Sequence, residues 1–182
     1  MTERMECQFL MRVGVPAAIL ALLLPSVPAA ERVHSPNGIA ADIGHELARL
    51  PFYMVFDHIA FHVEGGTVTL SGQVTRPTLK SDMENAVRRL AGVRQVIDNI
   101  EVLPDSAADQ RLRLAEFLAI YGDPELNQYA NQPAPPIHIV VKNGDVTLEG
   151  SVATESDKTE AFVRASGVPG VASLTDHLRI AP

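Results

Sequence analysis

The chain has 182 residues, with 22 acidic against 15 basic side chains, a formal charge of -7 and 46% hydrophobic residues. That balance excludes a generally basic nucleic-acid binder, and the apolar content excludes wholesale disorder. A single cysteine, Cys7, rules out an internal disulfide framework and a multi-cysteine zinc site. The length allows one domain or two small ones.

The first element in the chain reads as an address. Residues 13–24 form an uncharged apolar run behind Arg12, followed by Ser26-Val27-Pro28-Ala29-Ala30. Val27 and Ala29 fit the small −3 and −1 positions of a signal-peptidase site, so residues 1–30 are expected to be a cleavable signal peptide. The run is too short to span a bilayer, which needs about 20 residues. Glu3 and Glu6 are atypical so far ahead of such a run, and a start at Met11 would remove both. Cleavage leaves a mature chain without cysteine, compatible with an oxidising periplasm.

The mature chain then repeats itself at an offset of 78 residues. Gly66-x-Val68-Thr69-Leu70-x-Gly72-x-Val74 falls on Gly144-x-Val146-Thr147-Leu148-x-Gly150-x-Val152 without a gap. Gly92-Val93 falls on Gly170-Val171, and Asp98 on Asp176. In each copy the local physics is the same. Ile59, Phe61 and Val63, like Ile137, Ile139 and Val141, alternate as in a half-buried strand. Gly65-Gly66 and Asn143-Gly144 are hairpin turns, and the return strands bury Val68, Leu70 and Val74, or Val146, Leu148 and Val152. Gly72 and Gly150 sit on the inward side of those strands, where a helix backbone is expected to approach closely.

A helix follows in each copy. Leu79, Met83, Val87 and Leu90 form an apolar stripe that Gly92 stops as a left-handed cap. Ala161, Ala165 and Val168 are the weaker counterpart, stopped at Pro169-Gly170. Each copy closes with a strand, through Val96, Ile100 and Val102 or Leu174, Leu178 and Ile180. Each opens with a helix, marked by Ile39, Ile43, Leu47 and Leu50 or by Leu114, Phe117, Leu118 and Tyr121. The expected fold is therefore α+β: two αββαβ modules, residues 38–104 and 107–181, each a small three-stranded mixed sheet with two helices on one face. Neither has a large core, so the modules are expected to pack on each other or on a partner.

The duplicated turn, glycines, helix and Gly-Val pair resemble the BON domain, a family named for bacterial osmotic-shock-inducible and nodulation proteins. The resemblance covers nearly the whole mature chain. It implies a tandem envelope protein behind a signal peptide, contacting phospholipid membranes or envelope components, with no generally recognised catalytic residues and no cofactor. Any role in osmotic or envelope stress is likewise implied by the resemblance alone. One departure is the long link from Tyr121 to Pro136, a candidate for a role of its own or a solvated excursion.

The residues offer little chemistry. His58 and His62 lie on one strand face about 13 Å apart, too far to share a metal. His138 and His177 fall on solvent-facing positions with no completing ligand spacing, so no metal site is expected. No nucleophile elbow or phosphate loop is present. Asp98 and Asp176 fall on the inward register of the closing strands, and are expected to cap neighbouring backbone amides at a bulge or an edge. The stretch from residue 76 to 94 carries Arg76, Lys80, Arg88, Arg89 and Arg94 against two acids, a balance of +3, while residues 154–172 sum to -1. These five cations are the candidate contacts to an anionic phospholipid surface or an envelope protein. Phe52-Tyr53-Met54-Val55-Phe56 is the other candidate, with Phe52 and Tyr53 as membrane or partner contacts; packing between modules is the competing reading. An assembly adaptor that uses the groove between modules is the alternative function.

Overall fold

The computed structural model describes residues 36–132 and 135–181. The expected signal peptide, residues 1–30, lies outside them. Module one runs α1 (Pro36–Arg49), β1 (His58–Glu64), β2 (Thr67–Val74), α2 (Pro77–Arg88) and β3 (Gln95–Val102). Strand β2 is central, antiparallel to β1 and parallel to β3, so the sheet is mixed. Module two runs α3 (Ala107–Tyr121), a short α4 (Asn127–Ala130), β4 (Ile137–Lys142), β5 (Asp145–Val152), α5 (Glu155–Ser166), β6 (Ser173–Asp176) and β7 (Arg179–Ile180). Its pairing repeats that of module one, β4 antiparallel and β6 and β7 parallel to β5.

The inward stripes form the two cores. Ile39 and Ile43 of α1 meet Ile59, Val68, Leu70, Val74 and Ile100 of the sheet and Leu79, Met83 and Val87 of α2. The second core joins Leu112, Ile120 and Tyr121 to the matching sheet residues and to Ala161 and Ala165 of α5. It also takes in Val55, from the link between α1 and β1 of module one. Both hairpins turn with two residues at positive φ: Gly65 and Gly66 at 52° and 83°, Asn143 and Gly144 at 54° and 86°. The same turns anchor the loops after α2 and α5, because the carbonyls of Gly66 and Gly144 accept from Arg94 and Ala172 at 2.8 and 2.9 Å.

Four expectations need correction. The backbone that crowds Gly72 and Gly150 belongs to the neighbouring strand and its approach, not to a helix. A Cβ on Gly72 would lie 2.1 Å from the His58 carbonyl, and one on Gly150 1.9 Å from that of Pro136. Helix α2 ends at Arg88 with Arg89 as a right-handed cap, so Gly92, at φ 86°, belongs to the turn beyond it. Likewise α5 ends at Ser166, and Gly170 follows in the next turn at φ 103°.

Third, α3 buries Asp109, Leu112, Arg113, Glu116, Ile120 and Tyr121, leaving Leu114 and Leu118 exposed. The buried face instead carries the Arg113 guanidinium, which reaches the Val141 carbonyl at 2.7 Å, and Leu112, while Tyr121 and in part Phe117 pack inward as expected. Fourth, the closing strand of module two is split into β6 and β7, although His177 still donates to Leu148 and Ala181 to Val152.

Candidate functional site: the junction of the two modules

The link from Leu50 to Asp57 holds the modules together. Asp57 is wholly buried, and its carboxylate accepts from Met54 N at 3.0 Å and from Thr75 N and Oγ1 at 2.6 and 2.8 Å. That pins the loop to the end of β2. The loop then presents Val55, whose carbonyl accepts from Ile139 N of β4 at 2.6 Å. Phe56 packs edge-on against Phe117 of α3 at 6.2 Å. Lys142 crosses from β4 to Glu101 of β3 at 2.6 Å.

These contacts also protect an exposed strand edge. On the free side of β4, Tyr121 donates its hydroxyl to the Ile137 carbonyl at 2.5 Å, Val55 takes the Ile139 amide, and Arg113 takes the Val141 carbonyl. An edge strand with its backbone groups satisfied is a poor template for stray pairing.

The aromatic pentapeptide is divided by this geometry. Val55 and Phe56 face module two. Tyr53 sits in the junction, its hydroxyl accepting from Ile59 N at 3.4 Å and its ring 5.5 Å from that of His138; burial pushes its phenol up to about 12. Phe52 points outward, 63% exposed, at φ 68°. A left-handed conformation costs a non-glycine residue on the order of 1 kcal/mol, so the fold holds this ring outside against a strain. The Arg76 guanidinium lies over it, 4.8 Å from the ring centre. Met54, also exposed, lines an apolar cavity of about 390 Å³ with Phe56, Leu114 and Phe117.

The other cations occupy different settings. Lys80 donates to the Ile100 carbonyl at 2.6 Å and lies 3.7 Å from Asp98, while Asp98 accepts from Ile100 N at 2.9 Å. Lys158, Asp176 and Leu178 repeat this at 2.8, 3.8 and 2.8 Å. The duplicated aspartates thus cap backbone amides, and each lysine completes the cap by taking the carbonyl of the same residue. Periodicity alone did not reveal these lysines, but their shared 78-residue offset was a usable signal. Arg88 pairs with Glu84 one turn away, and Arg94 donates to the Gly65 carbonyl. Arg89 is exposed beside Glu46, Arg49 and Asp82.

Two further groups were not visible as sites in the sequence. His138, expected to face solvent, lies in the junction, with its buried Nδ1 unpartnered and its ring 5.8 Å from that of His58. The face of β4 that would be open in an isolated module is covered by module one. Burial holds both imidazoles below their ordinary range, and Glu149, 3.8 Å from His58, partly opposes this for His58. Glu116 is wholly buried with both carboxylate oxygens unpartnered, and burial pushes its carboxyl up to about 7. Among the described residues, no group of three or more His, Cys, Asp or Glu side chains is placed to hold a metal ion. Nor, among them, is any helix long and apolar enough to cross a membrane.

Two mixed sheets, each with its helices on one face and joined by a built junction, define a tandem α+β two-module architecture. The sequence matches the BON domain over residues 37–104 and 125–182, and the chain belongs to the BON domain family. The second match starts beyond α3, which nonetheless packs on β4 and α5 as part of module two. No match was found among curated proteins. Among solved structures, the chain is similar to CdsD, a structural protein of the Type III secretion system of Chlamydia trachomatis. The identity is 17%, over 79% of this chain and 92% of that one, with a TM-score of 0.28. The C-terminal domain of CdsD is similar at 15% identity, over 78% of this chain and 96% of that one, with a TM-score of 0.27.

Proposed function

We propose that the chain is an exported, non-catalytic envelope protein that binds an anionic phospholipid surface through the tip of its inter-module link. The observation that carries this reading is the Phe52 ring, held outside at positive φ with Arg76 stacked over it. An aromatic ring beside a guanidinium suits the headgroup boundary, where the ring enters the apolar layer and the cation stays with phosphate. Met54 extends the apolar tip, and Arg89, which lines a surface pocket with Leu50 and Pro51, extends the cationic one. Arg88 is paired with Glu84, and Arg94 is held at the Gly65-Gly66 turn at the far end of β2. Lys80 is left out of the contact, because its ammonium is already committed to Ile100 and Asp98. The apolar run at residues 13–24 and the Val27/Ala29 pair support export to the periplasm.

Flotation with phosphatidylglycerol vesicles tests this. A basic residue near an anionic bilayer is worth about 1 kcal/mol, roughly fivefold in partitioning. Replacing Arg76 and Arg89 by Gln should weaken flotation by about 25-fold, Phe52→Ser should weaken it several-fold, and salt should weaken the wild type. Unchanged flotation of both variants would contradict the proposal. An adaptor reading rests on a separate observation, the exposure of Leu114 and Leu118 one turn apart on α3. It expects binding of a protein that resists salt and is lost in Leu114→Ser, Leu118→Ser.

A further inference from the structure

The junction is closed by groups that change charge in mild acid. His58, the first residue of β1, and His138, the second of β4, face each other across the module boundary at 5.8 Å. The groups around them come from every neighbouring element. From β5, Glu149 lies 3.8 Å from His58 Nε2 and also holds His177 Nδ1 at 2.7 Å. Arg179 of β7 acts on His58 as a second cation. From the link, the Tyr53 ring and the buried Asp57 face His138, the latter already accepting three hydrogen bonds.

We propose that this pair is an acid-released clasp: protonation of His58 and His138 loosens module one from module two and frees the Ile139 amide on the edge of β4. The first proton is tolerable, because an imidazolium at His58 gains the Glu149 carboxylate. A second on His138 is buried and meets a like charge across the boundary, which together outweigh what the Asp57 and Met54 carbonyls and the Asp57 carboxylate return to it. Both imidazoles are held below the ordinary His value of 6.5 by burial. The unfolded or released state therefore binds more protons in mild acid, and the stabilisation from the neutral pair is present above pH 6.5 and lost as pH falls below it. The inference is independent of what the junction binds. The contact that should yield first is the backbone bond between the modules at this point, Ile139 N to Val55 O.

Hydrogen exchange on the full chain at pH 7.5 and 5.5, corrected for intrinsic rates, reads that bond directly. Protection of the Ile139 amide should fall at least tenfold at the lower pH while amides inside β2 and β5 hold. The loss should disappear in His138→Phe, whose ring fills the space without charging, and shrink in His58→Gln. The second variant keeps the test open if the first folds poorly. Constant Ile139 protection in the wild type, an equal loss in both variants, or a uniform loss across all strands would overturn the proposal.

Discussion

Replacing Glu116 by Gln is expected to stabilise the protein above pH 7 and to leave it nearly unchanged near pH 4.5. The carboxyl is wholly buried on α3 with neither oxygen hydrogen-bonded, and its folded-state value rises from 4.5 to about 7. Between those two values the folded chain keeps a proton that the unfolded chain releases. Stability therefore declines as pH rises through this window, the reverse of the usual paired carboxylate. A shift of that size corresponds to at most about 3.5 kcal/mol, because one pKa unit is worth about 1.4 kcal/mol. Thermal melts at pH 5 and pH 8 should give nearly equal midpoints for wild type and variant at the lower pH. At the higher pH the variant should melt several degrees above the wild type. Equal midpoints at both would show that Glu116 finds a partner or water that the fold does not reveal.

The second large effect is steric. Gly150→Ala and Gly72→Ala place a methyl group 1.9 and 2.1 Å from a backbone carbonyl, at φ values of 113° and 117°. Each strand must move or break, and each variant should lose at least about 2–3 kcal/mol in denaturant unfolding. Gly144→Ala is the contrast. Its φ of 86° is also left-handed, but the new Cβ makes only ordinary van der Waals contacts, with the Ala172 methyl at 3.4 Å and the Gly170 carbonyl at 3.6 Å, so it should cost about 1 kcal/mol. If all three cost the same, backbone conformation alone governs these glycines and the close strand approach is irrelevant.

The fold was legible because duplication wrote each strand and turn twice in one frame. The alternation at Ile59, Phe61 and Val63 and at Val146 and Leu148 needed no tertiary context, since period-two patterns report burial within one module. The first helix of module two was found, with Tyr121 and Phe117 inward, but Leu114 and Leu118 were misplaced for a physical reason. Apolar spacing selected Leu114, Phe117, Leu118 and Tyr121, whereas the helix buries Arg113 to satisfy a strand-edge carbonyl and Glu116 with no partner at all. A rule that places charges outside cannot find such a face.

The junction was only half visible. The aromatic pentapeptide stood out by composition, but its division into an inward Val55 and an outward Phe52 depends on Asp57 reaching Thr75, a contact distant in sequence. His138 looked exposed because each module was read alone. Covering by a second module leaves no trace in the first module's periodicity.

The account turns on whether the Phe52 tip is the surface that meets a bilayer. NMR of the chain on phosphatidylglycerol nanodiscs carrying a paramagnetic lipid measures that contact residue by residue. Broadening concentrated on Phe52, Met54 and Arg76, with α5 and the β6–β7 strands untouched, is the result expected. Spectra unaffected by the discs, or broadening centred on module two with the Phe52 tip sharp, would contradict it.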